Sequence, residues 1–152
     1  MTTTTTPTAR RGGAAPVLGV LFGVYLVLLV WLVLWKLQLP WEAFPVQRSL
    51  KLVPFVAAEG YGASAVREVA GNVAVFVPFG FGFALLRPGW AWWRIASLAA
   101  AVSASLELAQ FALAVGSTDA TDVITNTAGA AAGVLLARSF GRNPLADASR
   151  KT

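Results

Sequence analysis

The chain has 152 residues, 57% hydrophobic and 12% charged, with a mean hydropathy of +0.66 and a formal net charge of +5. That usage is far from a soluble domain and fits an all-α integral membrane bundle in one compact unit. With no Cys and no His, thiolate or imidazole metal sites, a disulfide framework and a His general base are all excluded.

Residues 1–15 are Thr-rich, contain Pro and Gly and show no apolar period, which predicts a disordered tail on the cytoplasmic side. Residues 17–35 carry no charge and number 19, long enough at about 1.5 Å per residue to cross a hydrocarbon core of about 30 Å. The run is longer than a signal-peptide core and no small-x-small cleavage site follows, so it reads as a retained helix. A second span is expected over 69–86. It holds Asn72, a run of Phe and Pro78, whose missing N–H and ring clash predict a kink near Ala74. The third, 95–115, carries Ser103, Ser105, Glu107 and Gln110. The fourth, 120–137, is mostly Ala, Gly, Thr and Val, and its Gly129 and Gly133 form a GxxxG step suited to close helix approach. The domain is thus expected over 16–138, a bundle of four transmembrane helices, with a second cytoplasmic tail over 139–152.

Four spans divide the basic residues unequally. Arg10, Arg11, Arg87, Arg94, Arg138, Arg142, Arg150 and Lys151 fall on one side, and Lys36, Arg48, Lys51 and Arg67 on the other. The positive-inside rule places both termini in the cytoplasm of a plasma-membrane protein. Basic residues that flank spans, without a stripe of interleaved aromatics, are topology signals and not a nucleic-acid interface. Trp31, Trp35 and Trp41 then mark the outer interface and Trp90, Trp92 and Trp93 the inner one.

A polar side chain inside a span is costly, about 2.5–3.5 kcal/mol for an ionised group at a helix centre, so those present are turned toward partners, a cavity or a substrate. Asn72, Glu107, Gln110, Asp119, Asp122 and Asn126 all fall in the outer half of such a bundle. Asp119, Asp122, Asn126, Gly129 and Gly133 follow one another at steps of 3, 4, 3 and 4, which is one stripe of a helix. Asp119 or Thr118 also suits the N-cap of the fourth helix, and the three amides also suit interhelical hydrogen bonding. Glu107 lies mid-helix with no Lys or Arg in any span to neutralise it, a placement suited to accepting or donating a proton. Arg48, Lys51 and Arg67 lie on the same side as the acids, beside the apolar stretch 50–58. An acid-lined pocket with a basic rim suits a lipid headgroup.

The segments that carry these residues resemble a known family. RSLKLVPF (48–55), NVAVFVPFGF (72–81), ELAQ (107–110) and DATDVITNTAGAAAG (119–133) are similar, in order, to the motifs of VanZ-like membrane proteins. The resemblance covers about 48–133. It implies a bacterial envelope protein related to low-level resistance to the glycopeptide teicoplanin. The chain departs from that pattern at Lys51, where Asn is common, and at Gly116, where an Arg commonly precedes the paired Asp residues; Arg48, Lys51 or Arg67 would then meet an anionic substrate.

Three functions stay open. In the first, an enzyme uses Glu107 as acid or base, with Asp119 and Asp122 binding a hard cation or orienting a hydroxyl and Asn72, Gln110, Asn126, Arg48, Lys51 and Arg67 holding a lipid-linked or headgroup-bearing envelope substrate. In the second, an accessory protein binds membrane lipids or a glycopeptide without turnover. The third is a small proton-coupled transporter subunit, although four spans without internal repeats are few for a complete transporter. Oxygen-only ligands would favour Mg2+ or Ca2+ over zinc, but two or three carboxylates assign neither a metal nor a cofactor.

Overall fold

The structure, a computed structural model, describes residues 14–35, 49–55, 66–113 and 117–141. Four helices account for most of them: α1 (Ala14–Trp35), α2 (Val66–Leu86), α3 (Trp92–Leu113) and α4 (Ala120–Gly141). Three are long and apolar enough to cross a membrane, over Pro16–Leu34, Val66–Leu86 and Trp92–Leu113. α4 is as long as α3 but more polar, because Thr121, Asp122, Thr125, Asn126 and Thr127 crowd its first half. The helix ends differ slightly from expectation. α1 opens at Ala14, inside the expected tail, and α4 runs to Gly141, beyond 138; the rest of both tails lies outside the described residues. α2 opens a turn before residue 69, since Val66, Arg67 and Glu68 form its first turn, with Glu68 suited to the positive helix end.

The closest helix pair is α2 and α4, which run parallel. A side chain at Gly129 would meet the carbonyl of Val73, one at Gly133 the carbonyl of Val77, and one at Gly80 the carbonyl of Ala130. Only hydrogen fits at these crossings, as the GxxxG step predicts. The core lies where Leu29, Phe76, Phe79, Ala99 and Ala130 meet, so all four helices contribute to it.

α1 packs more loosely and is fastened by specific contacts. Phe22 lies edge-on to Phe83 and fills the space left by Gly82. Tyr25 donates its hydroxyl hydrogen to the Val75 carbonyl at 2.7 Å, and its hydroxyl oxygen faces the Phe79 backbone. α2 remains helical through Pro78, and Tyr25 enters its backbone ladder within a turn of that residue, where proline thins the hydrogen bonding.

A short ladder adds what the all-α expectation lacks. β1 (Ser49–Lys51) and β2 (Ser117–Asp119) pair in parallel, Ser49 with Ser117, Leu50 with Thr118 and Lys51 with Asp119. It brings the segment before α2 against the segment before α4, at the end of the bundle where α3 finishes.

Candidate functional site

The polar residues do gather at one end. α3 delivers Ser103, Glu107 and Gln110, which share a face at helical spacing and are buried. α4 delivers Thr121, Asp122, Thr125 and Asn126, all buried, with buried Asp119 just ahead of its first turn. α2 contributes Asn72, half-buried. Asn72 is six residues into its helix, about 9 Å from the end at 1.5 Å per residue, and thus deeper than expected, because α2 starts a turn early.

Asp119 is the N-cap of α4: its Oδ1 accepts the Thr121 N–H at 2.8 Å. Its own N–H donates to the Glu107 carboxylate, Oε2, at 2.9 Å. The Thr118 hydroxyl donates to the Glu107 carbonyl at 3.1 Å. Glu107 therefore reaches the N-terminal end of α4, where it accepts one of the amide donors that the helix itself leaves unused. Asp122 accepts a hydrogen bond at Oδ1 from the Asn72 side-chain amide at 2.6 Å, which joins α4 to α2 across the site.

The amides are bound at one end and open at the other. Gln110 donates through Nε2 to the carbonyl of Val33 at 2.6 Å. Val33 lies in the last turn of α1, where carbonyls have no partner within the helix, so Gln110 both caps and anchors α1. A carbonyl only accepts, which fixes the orientation of the Gln110 amide and leaves Oε1 as its inward acceptor. Asn126 donates to the Ser103 hydroxyl at 2.8 Å. Gln110 Oε1 and Asn126 Oδ1 are buried without a hydrogen-bond partner among the described residues. Turning the Asn126 amide would exchange an open acceptor for an open donor. A buried polar atom left open costs about 1–3 kcal/mol, so two in one site are a notable expense. Thr125 and Thr127, by contrast, turn their hydroxyls back onto α4 carbonyls.

The segment after β1 closes over α4. Phe55 donates its N–H to the Thr121 hydroxyl at 3.0 Å and adopts φ of 60°. Pro54 followed by a left-handed residue is the pattern of a type II turn, a place usually given to Gly. Of the expected basic rim, Arg67 is exposed in the first turn of α2 and the Lys51 backbone lies beside Asp119. Arg48 lies outside the described residues. Ser103 and Thr121 were not foreseen as site residues; Ser103 was detectable as the residue one turn before Glu107 on the same face.

Among the described residues, no group of three or more acidic side chains is arranged to hold a metal ion.

A helical membrane protein with a buried carboxylate and amide cluster at one end is the class these features define. A profile of the VanZ/LLP1 family matches residues 22–141. "Protein VanZ" of Enterococcus faecium is 40% identical over 129 residues, an alignment covering 76% of this chain and 70% of that protein. The chain belongs to the VanZ/LLP1 family, and every residue of the cluster falls within the matched range. No solved structure matches.

Proposed function

We propose that this chain is a four-span bacterial plasma-membrane protein, both termini cytoplasmic, that takes a headgroup-bearing or lipid-linked envelope substrate at the outer end of the bundle. The observation that carries the reading is the pair of open buried amide atoms, on Gln110 and Asn126, set among Glu107, Asp119 and Asp122. Open acceptors favour a ligand rich in donors, such as the hydroxyls of a glycosyl or glycerol headgroup or an ammonium. Glu107 is the acid or base, Asp122 and Asn72 orient the ligand, and Asp119 holds the α4 terminus in place. Arg67, with Arg48 and Lys51, draws phosphate toward the rim. The fourth span is α4, whose polar residues Thr121, Asp122, Thr125 and Asn126 are buried within the bundle and away from lipid. Resistance to a glycopeptide would follow if the altered envelope component is one the drug recognises.

The test is the lipid and headgroup composition of cells with the protein, without it, and with Glu107→Gln at equal expression. A species that changes on deletion and is restored by the parent chain but not by Glu107→Gln supports the reading. Full restoration by Glu107→Gln removes proton transfer, and an unchanged composition removes enzymatic action.

A second reading is favoured by the bonds themselves. Glu107, Asp119, Asn72 and Gln110 each hold backbone or another helix, which also suits a non-catalytic binding or accessory protein whose cluster locks the bundle. Turnover by the purified chain separates the two.

A further inference from the structure

At the opposite end of the bundle, where α2 finishes, α3 begins and α4 finishes, lies a cavity of about 560 Å3. Leu85, Arg87, Trp90, Leu135, Arg138 and Ser139 line it. Its size falls within the roughly 300–1,000 Å3 of small-molecule sites.

Among the described residues, charge at this end has one sign. Glu68 stands in the first turn of α2, Asp122 in the first turn of α4, Asp119 in β2, and Glu107 on the Asp119 amide, so every described acidic side chain lies at the far end. Arg138 spends one donor on the Trp90 carbonyl at 3.2 Å, and Arg87 reaches only the Leu86 carbonyl at 3.5 Å, too long for a strong bond. Each guanidinium has five N–H donors, and most stay open to an outside acceptor. Arg94, over the Trp93 ring at 5.3 Å, adds a third positive charge nearby. The α2 and α4 C-termini offset these by only about half a charge each.

The rest of the lining is apolar. Leu85 and Leu135 are exposed along the side of the bundle, and Trp92 and Trp93 are exposed at the same level, the residue type of a membrane interface. An occupant that satisfies both halves has an anionic head and an apolar body.

We infer that this cavity binds the phosphodiester headgroup of an anionic phospholipid, held by Arg87 and Arg138, with its acyl chains along Leu85 and Leu135. The site is separate from the acidic cluster and does not depend on the function proposed there.

The experiment follows thermal unfolding of the purified full chain in neutral detergent while phosphatidylglycerol, phosphatidylcholine or inorganic phosphate is added. Phosphatidylglycerol raises the Tm, and the other two do not. Arg87→Gln with Arg138→Gln weakens the phosphatidylglycerol response by about tenfold in concentration, as expected for loss of a charge-assisted contact. An equal effect of phosphatidylcholine, full reproduction by inorganic phosphate, or an undiminished response in the double variant overturns the assignment. A second measurement does not require those variants to fold. The chain has no Cys, so Ser139→Cys gives a single reporter in the cavity wall, and phosphatidylglycerol slows its maleimide labelling relative to phosphatidylcholine. Equal labelling rates overturn the proposal.

Discussion

The Glu107 carboxylate accepts the backbone N–H of Asp119 at 2.9 Å, which makes a residue of α3 part of the N-terminus of α4. In a capping box, the side chain at the third helical position returns to the N-cap N–H. Here that position is Asp122, which accepts from Asn72, and Glu107 takes over the return bond from another helix.

Removing the acceptor should therefore cost more than removing the charge. Glu107→Ala leaves a buried N–H open and is expected to destabilise the fold by about 1–3 kcal/mol. Glu107→Gln keeps an acceptor and is expected to lose about 1 kcal/mol. Unfolding in detergent measures both, and equal losses would mean that charge, not acceptance, holds the α4 terminus.

Asn72 and Asp122 form a pair suited to a double-mutant cycle. Asn72→Ala and Asp122→Asn each disturb the contact between α2 and α4, and their coupling is expected at about 0.5–3 kcal/mol. Strict additivity would show that the 2.6 Å bond contributes nothing to the fold.

Gly133 lies against the Val77 carbonyl and Gly80 against that of Ala130. Gly133→Leu is expected to cost about 1–3 kcal/mol or more, because backbone and not a flexible side chain must move. Gly71, whose Cβ position is open, accepts Ala without loss. An unchanged melting profile for Gly133→Leu would show that α2 and α4 separate freely.

Phe55 holds a left-handed backbone that costs an L-residue roughly 1–2 kcal/mol. Phe55→Gly should thus be at least as stable as Phe55→Ala, reversing the usual ranking of Gly and Ala outside such positions. If Phe55→Ala melts clearly above Phe55→Gly, the turn over Thr121 is not left-handed in the membrane.

Orientation is testable because the chain has no Cys. Pro45→Cys should react with an impermeant thiol reagent in intact cells, and Gly89→Cys, at an exposed turn between α2 and α3, should react only after permeabilisation. The reverse pattern would put the acidic cluster on the cytoplasmic face.

Apolar runs made three of the four helices legible as candidate spans, since a window of hydropathy needs no partner to be read. The α2 start was missed because Arg67 and Glu68 are polar yet helical, and hydropathy cannot see a backbone bond. The 3-and-4 spacing from Asp119 to Gly133 revealed the inward face of α4, but not that α2 would be the helix against it. Glu107 looked unaccompanied because its partner is a main-chain amide, which leaves no mark on residue identity. Its place on the Glu107 face marks Gln110 as a pocket residue, and it also caps α1 through the Val33 carbonyl, equally invisible in side chains. The pairing of Ser49–Lys51 with Ser117–Asp119 had no signature at all, being three residues long with two complete helices between its strands.

That last pairing sets an order of manufacture. β1 leaves the ribosome before α2, and β2 only after α3, so the two strands meet once the α2 and α3 hairpin is already made. A chain arrested before residue 117 lacks the Asp119 amide, the Thr121 hydroxyl and the Asp122 carboxylate together, leaving Glu107, Phe55 and Asn72 without these contacts. The polar cluster is consequently completed only when the first turns of α4 have been made, and a protein interrupted before that stage holds the Glu107 carboxylate without the Asp119 amide that meets it in the finished fold.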